Sequence, residues 1–238
     1  MTEKSGLHVW KARQLWWRLA IVFVCVWGLG LGAQPLLFFT TQSNIIVLAY
    51  FAVAVWWMVV HRTTKAPAPR LRGGVTLWIV TTGLVAHLIL NHGESPFPGL
   101  VDAAPGVAMA NQALFLLHYA VPLMVLIDWA LFGPRGTVRL RDQIVWILYP
   151  VIYGAAALLR GALFPDVSSR FNYPFFDFAT LGFVGTVAAL AQVLAIIAVL
   201  ASGVVALDRT ADFVARRLPV AHVDNSHRHR AIGVTLLA

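Results

Sequence analysis

Six stretches of this 238-residue chain, about 16–33, 43–60, 75–91, 111–132, 143–160 and 180–207, are long, apolar and almost free of charge. About 20 such residues let an α-helix cross a hydrocarbon core of roughly 30 Å. No water is available inside that core, so a spanning backbone must satisfy its own polar groups as a helix or a closed barrel. The runs show no strict alternation of apolar and polar residues, which argues against barrel strands. Pro- and Gly-bearing segments break them: Lys65-Ala66-Pro67-Ala68-Pro69, Ser95-Pro96-Phe97-Pro98 and Phe132-Gly133-Pro134-Arg135-Gly136. The expected fold is all-α, a polytopic membrane protein of six transmembrane helices. A transmembrane domain over 16–207 follows a short segment, 1–15, and precedes a basic tail, 208–238, expected to be disordered.

Composition agrees. The chain is 59% hydrophobic and 12% charged, whereas soluble domains carry about 25% charged residues. Cys25 is the single cysteine, so no intramolecular disulfide or thiolate metal cluster can form. A net charge of +8 in a soluble protein would raise the question of nucleic acid, but here the basic residues mark topology. Lys4, Lys11, Arg13 and Arg18 precede or open the first run, and Arg62, Lys65, Arg70 and Arg72 follow the second. Arg135, Arg139 and Arg141 follow the fourth, and Arg209, Arg216, Arg217, Arg228 and Arg230 follow the sixth. Of the 18 basic residues only Arg160 and Arg170 fall on the other side. Short cytoplasmic loops retain Lys and Arg, so both termini are expected in the cytoplasm and no nucleic-acid partner is implied.

A cleaved signal peptide is the competing reading of the N-terminus. Its apolar run is long for that purpose, and removing it would leave five spans and spoil the charge alternation. In the tail, His222, His227 and His229 offer metal ligands, against the plainer reading of a solvated, mobile segment.

Polar residues inside spans are costly and generally face the bundle interior or a cavity. The second run is entered through Phe38-Phe39-Thr40-Thr41-Gln42-Ser43-Asn44, whose hydroxyls and amides line a site or, for Ser43 or Asn44, cap the helix. His87 lies about one turn, roughly 6 Å, from Asn91, and His118 about two turns, roughly 10 Å, from Asn111. Both imidazoles therefore fall in the outer half of the bilayer, on the side of Arg160, Arg170, Asn172, Tyr173 and Asp177. Each histidine alone is explained by a hydrogen bond between helices, a contact averaging about 0.6 kcal/mol. Together with the hydroxyl cluster at one depth they point to a site, with His as general base and Thr as nucleophile. Metal binding by His87, His92 and His118 is the weaker alternative, since no paired-histidine spacing supports it and Glu94 sits in a Pro-rich loop. Trp16, Trp17, Trp56, Trp57, Trp129 and Trp146 fall near inner ends, as interfacial anchors do. Pro122 should bend the fourth helix and open space beside His118. Asp128 and Asp142 are expected to balance surface charge.

The chain resembles bacterial six-span membrane proteins related to the androgen-induced gene family, from about Phe38 to about Arg209. Besides Phe38 to Asn44, the resemblance is carried by Leu117-His118-Tyr119-Ala120-Val121-Pro122, Ile127-Asp128-Trp129, Tyr149-Pro150, Leu159-Arg160-Gly161 and Tyr173-Pro174-Phe175-Phe176-Asp177. Eukaryotic members are intramembrane threonine hydrolases of fatty-acid esters of hydroxy fatty acids. The resemblance implies a catalytic Thr on the second span and a catalytic His on the fourth, here Thr40 and His118, in a bacterial plasma membrane. Thr41 is adjacent and leaves the choice of threonine open.

The first functional expectation is therefore a hydrolase of lipid esters with Thr40 as nucleophile and His118 as base, no cofactor and no metal. Thr41, Ser43, Asn44, His87, Arg160 and Tyr173 are expected to bind substrate or support the pair, with Asn44, Arg160 or backbone amides stabilising the oxyanion. Membrane lipid is the expected surrounding and a lipid-like molecule the expected substrate. A non-catalytic binder or transporter of a lipid or small amphiphile is the alternative, and a purely structural subunit comes third.

Overall fold

The computed structural model describes residues 9–32, 35–167 and 170–217; the tail histidines lie outside them. Six helices are long and apolar enough to cross a membrane: α1 Arg13–Leu31, α2 Phe39–Val60, α3 Pro69–Leu90, α4 Pro105–Leu131, α5 Asp142–Leu163 and α6 Phe178–Arg217. Two single turns of 3-10 helix, Val9–Lys11 and Pro174–Phe176, complete the described secondary structure. The protein is a multi-pass helical membrane protein.

Prolines set two of the starts. Pro69 and Pro105 occupy the first turns of α3 and α4, where a missing N–H costs nothing, so both helices begin before their apolar runs. α6 continues past its run to Arg217, and near its start Gly182 holds φ 66 and ψ 179, a break in the helical path. The Thr186 hydroxyl donates to Gly182 O at 2.7 Å across that break.

α3 is central. Half of its most apolar stretch is buried in the bundle, against 17% for α5, and it packs on α2, α4, α5 and α6. α1 lies on α2 and α4. Two close approaches depend on glycine: a Cβ on Gly28 would lie 2.8 Å from Leu117 Cδ2, and one on Gly83 only 2.7 Å from His118 O. Small residues of this kind let membrane helices approach closely, which matters where apolar burial supplies no drive between them. Ile21, Val47, Phe51, Ile79 and Val121 fill the α1–α4 core, while Leu77, Trp129, Trp146, Ile197 and Ala201 join α3 to α4, α5 and α6. Phe23, Val26, Ile144 and Val184 point outward, as lipid-facing side chains should.

One end of the bundle is tied by buried charge. Asp128 Oδ1 accepts from Arg18 Nε at 3.0 Å, and Oδ2 accepts from Arg72 Nη2 at 2.7 Å and Nε at 3.0 Å. Arg18 also reaches Met58 Sδ at 3.0 Å and Thr64 O at 3.3 Å; Arg72 also donates to Asp128 O, and to Phe132 O at 2.7 Å. All three charged side chains are buried. Asp128 is thus a shared counter-ion at the junction of α1, α3, α4 and two basic loops, in place of the surface charge balance expected for it. Arg18 and Arg72, read from the sequence as markers of topology, likewise carry structure. Asp142 is also largely buried, accepting from Arg139 N at 2.8 Å.

The tryptophans divide. Trp16 and Trp56 are exposed, as anchors should be. Trp129 and Trp146 are buried, and their indole N–H groups donate to Val204 O at 3.1 Å and Arg70 O at 3.0 Å. These two are core residues, because an indole with a backbone acceptor can be buried without leaving its N–H unsatisfied.

Candidate functional site

At the opposite end of the bundle α2 begins without a capping side chain of its own, since Phe38 holds the cap position. The first amides of a helix need acceptors from elsewhere. Phenols provide them: Phe39 N donates to Tyr153 Oη at 3.1 Å and Thr40 N to Tyr173 Oη at 3.4 Å. Ser43 and Asn44, expected as possible caps, lie inside α2 and do not cap it. Aromatic packing fixes the phenols. Tyr173 stacks on Phe175 with centroids 5.0 Å apart, meets Phe38 edge-on at 5.7 Å, and sits in a cluster with Phe39 and Phe176.

The first turn of α2 faces a distorted part of α4. Residues Leu116–Ala120 form a π-helical turn in which Val121 N donates to Leu116 O. Pro122 follows, and having no N–H it cannot serve the carbonyl of His118 four residues earlier. Leu117 O finds its donor outside the helix, in Asn44 Nδ2 at 3.2 Å, and the same amide donates to Thr40 O at 2.9 Å. Asn44 thus spans the two helices at the depth of the site. The expected distortion beside His118 is present, as a π-turn of the kind common at functional sites.

This geometry brings Thr40 and His118 together: Thr40 Oγ1 lies 3.1 Å from His118 Nε2. His118 Nδ1 lies 2.9 Å from Leu114 O. A carbonyl only accepts, so Nδ1 carries the hydrogen and Nε2 is left to accept from the threonine hydroxyl. Tyr173 Oη is 3.5 Å from Thr40 Oγ1. Burial pushes this phenol above its ordinary value, although its contacts with Thr40 and Phe39 oppose the shift. Thr41, the neighbouring candidate, is buried with no hydrogen-bond partner for its hydroxyl among the described residues.

Two cavities meet the pair. One, of about 270 Å³, is lined by Thr40, Tyr173, Phe39, Thr81, Pro150 and Gly154 among others, nearly all through apolar atoms. The other, of about 370 Å³ and more open, is lined by His118, His87, Tyr119, Gly83, Pro96 and Pro122 among others. α3 is the wall between them: Thr81, Thr82, Val85 and Ala86 face the first cavity, Val80, Gly83, Leu84 and His87 the second.

The remaining candidates separate. His87, also in a π-helical turn, Ala86–Leu90, has Nδ1 3.4 Å from Tyr119 Oη, on the open cavity. Ser43 is buried within α2. Arg160 lines neither cavity and donates through Nη1 to Arg170 O at 3.1 Å. Arg170 returns a bond to Gly161 O at 2.7 Å, so these arginines fasten the end of α5 to the segment that follows. Asn172 Nδ2 donates to Leu37 O at 2.7 Å, and Asn91 and Asn111 bond loop carbonyls. Asp177 accepts from Thr180 N and Oγ1 at the start of α6, bonds that hold its carboxyl below the usual range. His92 and Glu94 are exposed in the α3–α4 loop, and no group of three metal-ligating side chains occurs among the described residues.

Tyr153 and Thr81 were not legible as site residues. Tyr153 lies four residues after Tyr149, hence on the same face of α5, which is the only sequence signal it offers. Thr81 carries a buried hydroxyl with no partner among the described residues, on a cavity wall that is otherwise almost wholly apolar. The chain matches no family model, no curated protein and no solved structure.

Proposed function

We propose that this membrane protein hydrolyses lipid esters, with Thr40 as nucleophile and His118 as general base. The observation that carries the reading is the 3.1 Å contact between Thr40 Oγ1 and an imidazole nitrogen whose tautomer is set by Leu114 O. A hydroxyl within hydrogen-bond reach of a base, itself oriented by a third group, is the signature of an activated nucleophile.

His118 Nε2 takes the Thr40 proton as Oγ1 bonds to the ester carbonyl carbon. The carbonyl π-electrons move to oxygen, and the collapsing intermediate breaks the bond to the alcohol, whose oxygen leaves with the proton from His118. Water then repeats the sequence on the acyl-threonine, releasing the acid and restoring the hydroxyl. The developing oxyanion needs a donor held in place beforehand. Asn44 Nδ2 is already engaged by two carbonyls, and Arg160 lies away from the cavities. Tyr173 fits the role better: its oxygen receives the Thr40 N–H, and with the Thr40 hydrogen given to His118 its own proton is directed toward Oγ1, from where it can turn to an oxyanion formed beside that atom.

The resemblance of Phe38 to Asn44 and Leu117 to Pro122 to the androgen-induced family supports the same pair. A fluorophosphonate probe applied to the detergent-solubilised protein tests it. Labelling and esterase turnover are expected in the wild type and Thr41→Ala, and lost in Thr40→Ala and His118→Ala. Turnover that survives both of the latter substitutions would sink the proposal; lipid binding without turnover in the wild type would instead favour a non-catalytic binder.

A further inference from the structure

Thr40 on α2 and His118 on α4 face different cavities, which α3 separates. Thr40 lines the smaller, less open cavity and His118 does not; His118 lines the more open cavity and Thr40 does not. Yet their reacting atoms are 3.1 Å apart. The geometry points to a divided ester site, in which the acyl chain occupies the less open cavity behind Thr40 and the alcohol occupies the open cavity beside His118. This rests on the hydrolase reading and adds the chemistry of each half.

The division follows from where the atoms must go. The carbonyl carbon becomes bonded to Thr40 Oγ1, so the acyl chain extends into the space that Thr40 lines. The alcohol oxygen must receive the proton held on His118 Nε2, because the group that acts as base in one half-reaction acts as acid in the other. The alcohol therefore departs on the His118 side, and the water that cleaves the acyl-threonine arrives by the same route.

The less open cavity is walled by Phe39, Val85, Leu158, Phe175, Phe176 and Leu190 among others, a slot for hydrocarbon. Its volume of about 270 Å³ lies just below the usual range for small-molecule sites, roughly 300–1,000 Å³, and suits one acyl chain rather than two. The other cavity, with His87 and Tyr119 beside His118, is lined almost as fully by apolar atoms, so the two differ in openness rather than in polarity. The substrate class is thus a single-chain carboxylic ester, more tightly restricted in its acyl part than in its alcohol.

Two substitutions address the halves separately. A Cβ at Gly154 meets Phe176 at an ordinary 3.6 Å, so Gly154→Leu extends into the less open cavity without a backbone clash. Leu123→Trp enlarges a partly exposed side chain on the open cavity. The intact protein in detergent is assayed on umbelliferyl acetate, octanoate and palmitate, and on octanoate esters of alcohols of increasing size. Gly154→Leu is expected to lower kcat/KM for the palmitate roughly tenfold relative to the acetate and to leave the ratios within the alcohol series unchanged. Leu123→Trp is expected to do the reverse. Displacement of a fluorescent long-chain fatty acid, which needs no turnover, is measured in parallel and is expected to weaken in Gly154→Leu alone. If wild-type turnover does not depend on Thr40 but fatty-acid binding still depends on Gly154, the hydrolase reading fails while the acyl cavity stands. The division is overturned if the two variants exchange effects, if each disturbs both series, or if neither series nor fatty-acid binding responds.

Discussion

Pro122 removes the N–H that would have served the carbonyl of His118 in a regular helix, and the π-helical turn Leu116–Ala120 directly precedes it. That turn aims the imidazole at Thr40, with Asn44 on α2 capping the neighbouring Leu117 carbonyl. A local backbone irregularity in one helix and an amide on another thus fix a single intramembrane contact. Replacing Pro122 with alanine restores a donor, and the regular α-helix becomes available again. The expected outcome is a folded protein of equal or higher melting temperature whose fluorophosphonate labelling falls at least about tenfold. Unchanged labelling would show that the π-turn does not set the pair.

Asn44→Leu removes both amide bonds and leaves the Thr40 and Leu117 carbonyls buried without that donor. An unsatisfied buried group costs about 1–3 kcal/mol. A lowered melting temperature in detergent should accompany lost labelling; a change in labelling alone would mean that Asn44 acts only on alignment.

Tyr173→Phe deletes a hydroxyl but retains the ring that stacks on Phe175. Loss of one oxyanion donor lowers kcat by about 10²–10³-fold in well-studied hydrolases. A drop of that order in kcat with KM little changed is expected. A drop in melting temperature with kcat intact would assign Tyr173 to capping α2 alone.

Asp128→Ala leaves Arg18 and Arg72 buried without the carboxylate that both share. Removing one partner of a buried pair costs about 3–5 kcal/mol, so thermal unfolding should show one of the largest losses in the chain. The triple change Asp128→Leu, Arg18→Met, Arg72→Met should recover much of it, because no charge then remains buried there. Failure of the triple variant to improve on the single one would argue that the arginines' bonds to loop carbonyls dominate.

Thr81→Val fills the same volume but removes a buried hydroxyl without a described partner. The ligand-free protein should be at least as stable. If the hydroxyl meets a polar atom of the bound acyl group, KM for ester substrates should rise several-fold, and calorimetry of a non-hydrolysable analogue would read the same loss.

Number of spans and helical class were legible in the chain, because each follows from a local sum, apolar length against bilayer thickness. Thr40 and His118 could be named for the same kind of reason, since a hydroxyl or imidazole is conspicuous among apolar neighbours. Their 3.1 Å contact could not. It depends on Gly83 admitting α4 against α3, on Pro122 and the π-turn beside it, and on Asn44 spanning two helices to a residue 73 positions away. For the same reason Asp128 and Trp129 read as surface and interface residues but are buried: burial is a property of what packs against a residue, and neither composition nor periodicity within α4 records the arrival of Arg18, Arg72 or Val204. The chain's own chemistry determined that it would form six helices long and apolar enough to span a membrane. Only the packing of α2, α3 and α4 decided which hydroxyl meets which imidazole and that the two face different cavities.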